Sequence, residues 1–231
     1  MTRSCFVTGT DTGVGKTFAS VALLHALRAR GLRAVGMKPV ASGCEATAQG
    51  WRNEDALALL AASEPTPAYA DVNPYALPAA TAPQLAARDA DAVVELPPIL
   101  SAYARLASDA EAMVVEGVGG WAAPLADGFD QAALVRAIDA DVVLVVGLRL
   151  GCLSHARLTA RAVAADGCRL VGWIGNRVDP EFDRVDDYLG LLRDALPLPC
   201  LGVLAHAPEG DGVAAGRALD VSSLLSPAEV R

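Results

Sequence analysis

Continuously apolar runs alternate with amphipathic or Ala/Leu-rich stretches over most of the chain. Phe6-Val7, Leu32–Met37, Ala112–Val115, Asp141–Val146, Leu170–Ile174 and Cys200–Leu204 have few polar breaks, the pattern of strands covered on both faces of a parallel sheet. A shorter stretch, Ala68–Val72, reads as a further strand inside a region, 63–84, that carries five prolines. The segments between predict helices over Phe18–Arg30, from an Asn53 cap through Leu60, and near Thr81–Ala90, Pro97–Ser108, Gln131–Ile138 and Asp183–Ala195. Another is expected to start at a Ser154 cap. Gly31 suits the end of the first helix, and 44–52 reads as a polar loop. This alternation predicts an α/β fold with right-handed crossovers: a mostly parallel central sheet of about seven strands with helices on both faces. The tail, 205–231, offers turns and one short helix.

The first strand runs into Thr8-Gly9-Thr10-Asp11-Thr12-Gly13-Val14-Gly15-Lys16-Thr17 and then a helix. Strand, glycine-rich turn and helix is the context in which backbone N–H groups and a helix N-terminus converge on one anion. Lys16 is placed to reach the β/γ-phosphates and the Thr17 hydroxyl to face Mg²⁺. The spacing departs from G-x-x-x-x-G-K-[ST], because Thr10 stands where the first glycine belongs and Gly9 precedes it by one.

Other strand ends carry chemistry of the same kind. The second strand delivers Lys38-Pro39-Val40-Ala41-Ser42-Gly43, and the apolar run at Val115 delivers Glu116-Gly117-Val118-Gly119-Gly120-Trp121. Asp55 sits in the first turn of a helix, where it either complements the helix dipole or faces Mg²⁺. Glu116 either holds the metal or caps its turn. Cys152 and His155 lack a second metal-ligand pair, and His155 reads as helix surface. In open parallel sheets ligands bind at the carboxyl ends of strands, so Lys16, Thr17, Lys38, Ser42, Glu116 and Asn176 are expected at one edge. No histidine is paired with a Ser or Cys nucleophile. The inventory therefore points to phosphoryl transfer by positioning and charge neutralisation.

Composition narrows the function classes. Apolar residues make up 53% of the chain and aromatics 5%, so the core must be built mostly from Ala, Leu and Val. A net charge of −8 over 231 residues, with no basic stripe, argues against nucleic-acid or anionic-membrane binding as the main task. No apolar run reaches the ~18 residues of a membrane span. Five widely spaced cysteines without C-x-x-C, and no leader pattern after Met1, lead to the expectation of a cytoplasmic protein with reduced thiols. The length suits one α/β domain over 1–231.

Taken in order, several motifs resemble the ATP-dependent dethiobiotin synthetase family nearly end to end. They are Val7–Thr12 with Val14-Gly15-Lys16-Thr17, Lys38-Pro39-Val40-Ala41-Ser42-Gly43, Val72-Asn73-Pro74-Tyr75, Glu116-Gly117 with Gly119-Gly120-Trp121, Leu150-Gly151-Cys152, and Gly172-Trp173 with Asn176. The resemblance implies a P-loop NTPase fold and a ligase using ATP and Mg²⁺. Its substrates would be 7,8-diaminopelargonate and CO₂ or bicarbonate. By position, Lys16 and Lys38 would be catalytic, and Thr17, Asp55 and Glu116 would serve Mg²⁺. Gly13, Val14, Gly15, Gly117, Val118, Gly119, Asn176, Arg177, Ala205, His206 and Ala207 would contact the nucleotide. Thr12 and Ser42 would contact substrate. Gly151, Cys152 and Ser154 would hold the substrate carboxylate from the partner subunit of a homodimer. The chain departs from some members at Gly13, Ser154 and Ala205–Pro208. Switch ATPases of the same fold carry an extra lysine early in the loop, where this chain has Asp11.

Overall fold

The computed structural model describes residues 2–206 and 211–225. Six strands form the central sheet: β1 (Arg3–Gly9), β2 (Ala34–Met37), β3 (Ala112–Gly120), β4 (Asp141–Gly147), β5 (Leu170–Asn176) and β6 (Cys200–Leu204). Their order is β6-β5-β4-β1-β3-β2, and every neighbouring pair is parallel. The chain leaves β1 to one side, returns as β3 beside it, and then continues as β4 on its other side. The carboxyl end of β1 is thus the topological switch point of the sheet, where such folds bind ligands.

Although the strands are apolar throughout, their residues divide by pleat. Cys5, Val7, Val143 and Val145 pack with α1 (Lys16–Ala29) and α2 (Glu54–Ala62) on one face. Phe6, Val35, Met37, Met113 and Val115 pack on the other, beneath α4 (Pro83–Asp89), α5 (Leu96–Asp109) and α6 (Gln131–Ala137). On that same face Leu144, Val146 and Trp173 support α7 (Cys152–Ala165) and α8 (Val185–Ala195). Two short helices, α9 (Gly212–Arg217) and α10 (Ser222–Leu225), follow β6. No helix among the described residues is long and apolar enough to cross a membrane.

The sheet has six strands and not seven because Ala68–Val72 does not extend. It forms a helical turn, α3 (Tyr69–Val72), closed by the Val72 and Asn73 amides on the carbonyls of Ala68 and Tyr69. The stretch read as a polar loop contains an antiparallel hairpin, Glu45–Thr47 with Gly50–Arg52. Asn53 caps α2 as expected, its side chain accepting from the Ala56 amide at 3.2 Å. Ser154 does not cap α7: the N-cap lies three residues earlier, at Gly151 with φ 94°. Where one short helix is expected in the tail, the described residues form two.

Candidate active site

At the switch point the ends of β1, β2 and β3 surround a cavity of about 280 Å³. The turn after β1 is tied to the sheet by the Thr10 amide on the Val145 carbonyl at 3.0 Å. Gly15, at φ 81°, is the N-cap of α1, a left-handed geometry that favours glycine. A Cβ there would also lie 2.0 Å from the Asn176 amide nitrogen. That amide donates to the Val14 carbonyl at 3.0 Å and so fixes the turn from the end of β5. Thr12, Gly13, Gly15, Lys16 and Thr17 line the cavity. The Val14 side chain is buried and leaves only its backbone to serve a ligand.

Two lysines stand over this turn. Lys16 is buried, and its ammonium donates to the Asp11 carbonyl at 3.1 Å. Burial, followed by the positive charge of Lys38, holds Lys16 below the ordinary lysine range, opposed by Glu116, Asp55 and Asp11. The Lys38 side chain is 4% exposed. Its Nζ donates to Asp55 Oδ2 at 2.9 Å, Glu116 Oε1 at 2.5 Å and the Gly117 carbonyl at 3.1 Å. Burial alone would lower its pKa. Glu116 and Asp55 together outweigh burial, so the group is raised above the ordinary lysine value and stays charged. Asp55 shifts the other way: burial opposes its charge, but Lys38, Thr17 and Lys16 win and lower its pKa.

The Thr17 hydroxyl approaches Asp55 Oδ1 at 2.7 Å and Glu116 Oε1 at 2.9 Å. Its one proton can serve only one of them at a time. Glu116 Oε2 is buried and, among the described residues, has no hydrogen-bond partner. Two carboxylates and a hydroxyl, all hard oxygen donors with one acceptor to spare, form a set that Mg²⁺ accepts beside phosphate oxygens and water. The residues fit the ion.

Gln131, at the start of α6, holds the loop after Glu116. Its Oε1 accepts from the Val118 amide at 3.1 Å, and its Nε2 donates to the carbonyls of Gly120 at 2.7 Å and Trp121 at 3.1 Å. The only local signal was a lone amide beside the Asp130 cap in an Ala/Leu-rich helix. Gly117 is closely packed beneath it, since a Cβ there would meet Gln131 Oε1 at 2.1 Å. Val118 and Gly119 line the cavity, as do Ser42, Lys38, Asp55 and Glu116. Gly117 contributes its carbonyl to Lys38.

The remaining expected residues fall into two groups. Asn176 and Arg177 lie beside Ala205 and His206: the Arg177 amide donates to the Leu204 carbonyl, and the His206 ring lies 3.0 Å from the Arg177 carbonyl. Ala207 lies outside the described residues. Gly151, Cys152 and Ser154 open α7 and are not among the residues that line the cavity in this chain. The Cys152 side chain is buried, and its amide donates to the Arg149 carbonyl at 3.1 Å. The Arg149 guanidinium reaches Asp11 of the phosphate turn at 2.8 Å.

A family model described as "AAA domain" matches residues 3–212. The ATP-dependent dethiobiotin synthetase BioD of Xanthomonas oryzae pv. oryzae is 62% identical over 216 residues, covering 94% of this chain and 96% of that protein. The protein of the same name from Xylella fastidiosa is 61% identical over 205 residues, covering 89% and 91%. Among solved structures, the septum site-determining protein MinD of Pyrococcus horikoshii, complexed with Mg-ADP, aligns with a TM-score of 0.52 at 16% identity over 94% of this chain and 93% of that one. The signal recognition particle receptor FtsY of Elizabethkingia anophelis aligns at 0.51 and 16% identity, over 98% of this chain and 66% of that one. These two share the fold.

Proposed function

The chain belongs to the ATP-dependent dethiobiotin synthetase family and is an ATP-dependent ligase of biotin biosynthesis; from this premise we propose the reaction and the residues that carry it. One amine of 7,8-diaminopelargonate adds to CO₂, losing a proton and forming a carbamate. A carbamate oxygen attacks the γ-phosphorus of ATP, and the β–γ bridge oxygen leaves with ADP. The second amine then attacks the carbonyl of the carbamic-phosphoric anhydride, expels phosphate and closes the ureido ring of dethiobiotin.

The observation that carries this reading is Lys38, a buried ammonium held by three acceptors beside Lys16 and the phosphate turn. Each step moves negative charge between carbamate and phosphate oxygens, and a fixed cation in a water-poor site stabilises such charge without reorganising. In this reading Lys38 holds the carbamate, and Lys16 follows the transferring phosphoryl group. Thr17, Asp55 and Glu116 would hold Mg²⁺, which supplies further neutralisation of the phosphates. Thr12 and Ser42 contact the carbamate or diamine from the cavity wall. Asn176, Arg177, Ala205 and His206 form the nucleotide-base side.

The substrate carboxylate is assigned to Gly151, Cys152 and Ser154 of a partner subunit. Among the described residues the second and third amides of α7, Leu153 and Ser154, have no backbone carbonyl acceptor in the preceding turn and suit an anion. Leu150 and Leu158 are 80% and 60% exposed on this segment, and an apolar groove of about 810 Å³ runs between α7 and α8. Both features support a homodimer through this face. Five free thiols support a cytoplasmic setting.

The test is isotopic. Purified protein with MgATP, 7,8-diaminopelargonate and ¹³C-bicarbonate should yield dethiobiotin labelled at the ureido carbon, and Lys38→Ala should yield none while remaining folded. Unlabelled product, or substantial product from the variant, would overturn the assignment.

A further inference from the structure

Lys38 and Asp55 come from different elements, the end of β2 and the first turn of α2, yet their side chains must meet within one hydrogen bond. A polar relay, buried at both ends and half-buried at its Tyr69 hub, joins the two backbones. Tyr69 Oη accepts from the Asn53 amide at 2.8 Å and donates to Asn73 Oδ1 at 3.1 Å. Asn73 Nδ2 of the side chain donates to the Lys38 carbonyl at 2.7 Å and to the Tyr75 carbonyl at 3.1 Å. Asn53 is the cap of α2, two residues before Asp55, and Asn73 follows α3 directly. The Lys38 amide donates to Val72 at 2.8 Å, so the backbone of Lys38 is held on both sides by the 72–75 segment. Asn53, Asn73 and Lys38 are all buried. The Arg52 guanidinium stacks 4.1 Å from the Tyr69 ring centre and covers the hub from outside.

We propose that Tyr69 and Asn73 are positioning residues for the phosphoryl-transfer site, acting through Asn53 and the Lys38 backbone to set the Lys38–Asp55 contact. Neither touches a reacting atom. One hydroxyl fixes the start of α2 relative to the end of β2, so its loss lets Asp55 and Lys38 drift independently while the phosphate turn stays in place. Misplacement of about 1 Å at such a site can lower turnover on the order of a hundredfold. The proposal rests on the roles given above to Lys38 and Asp55.

The experiment is Tyr69→Phe, which keeps the ring for Arg52 and removes the hydroxyl. It is read on phosphate release from MgATP with bicarbonate and diaminopelargonate, with dethiobiotin measured in parallel. A chain that releases phosphate without dethiobiotin overturns the substrate reading and leaves the positioning test intact. The expected result is a fall in kcat of about tenfold to a hundredfold with KM for ATP within about twofold. Asn73→Ser, which breaks the bond to the Lys38 carbonyl, should show the same split and serves if Tyr69→Phe fails to fold. Leu27→Val, in the core near the far end of α1, controls for general destabilisation and should leave kcat unchanged at matched folded fraction. Wild-type kcat in both relay variants, a loss confined to KM, or an equal loss in Leu27→Val overturns the proposal.

Discussion

Replacing Lys38 with Met should reveal how much of the site's architecture depends on one ammonium. The Glu116 side chain is 0% exposed and Lys38 only 4% exposed, so the pair is shielded from solvent. Met fills the space of the lysine stem but, among the described residues, leaves the Glu116 carboxylate with Thr17 as its remaining donor and Oε2 unpartnered. Removing one member of a buried ion pair typically costs about 3–5 kcal/mol, because the other charge stays desolvated. For a chain of this size each kcal/mol shifts Tm by roughly 2–4 °C, so Lys38→Met should melt roughly 6–20 °C below wild type. Adding Glu116→Gln removes the stranded charge and should recover most of that loss. About 1–2 kcal/mol should remain, because the Gly117 carbonyl and the partly exposed Asp55 carboxylate have still lost their donor. Urea unfolding of wild type, the single variant and the double variant at pH 7 gives these numbers directly. Turnover should be absent from both variants, since the double variant regains stability without regaining the cation. A single-variant loss below about 1 kcal/mol, or a double variant no more stable than the single, would refute the reasoning.

Asp55→Ala should raise the Mg²⁺ concentration for half-maximal turnover about tenfold. It should cost about 1–2 kcal/mol, because Lys38 loses one charged acceptor while Glu116, the Gly117 carbonyl and the Asn53 cap remain; an unchanged metal requirement would reduce Asp55 to a dipole-complementing role. Gln131→Met should lower stability by roughly 3 kcal/mol in urea, since one amide and two carbonyls of the loop after Glu116 lose their partner; a change within about 0.5 kcal/mol would show that the loop holds itself. The pKa shifts predict where stability depends on pH. Asp55 is lowered, so its contribution is full above its unfolded value and is lost as pH falls below about 4 through the folded value. Lys38 is raised, so its contribution is full below its unfolded value and fades only as pH rises above about 10.5. Between pH 4 and pH 3 the wild type should therefore lose more stability than Asp55→Asn, and parallel urea midpoints over that range would contradict the sign.

The phosphate turn, Lys38 and Glu116 are legible in the sequence because each follows an apolar strand, and parallel strands bring their carboxyl ends to one edge. The helices were readable from caps and periodicity to within a few residues. Ala68–Val72 misled because a four-residue helical turn is too short to show a 3.6-residue period, and its apolar and polar positions alternate like a strand. Ser154 misled because Gly151 caps α7 through its backbone, with no side-chain signature. The pairings of Gln131 and of the Tyr69–Asn73 relay were not legible. Apart from the short Tyr69–Asn73 and Asn73–Tyr75 bonds, their partners are backbone groups 10 to 35 residues away, and local pattern carries no trace of such pairings.

The most direct measurement is the stoichiometry of phosphate to dethiobiotin. With MgATP and bicarbonate alone the protein should release almost no phosphate. Adding 7,8-diaminopelargonate should start release with one phosphate and one dethiobiotin formed per turnover. Phosphate release that ignores the diamine, or that runs without dethiobiotin, would contradict the assignment of this site to carbamate phosphorylation and ring closure.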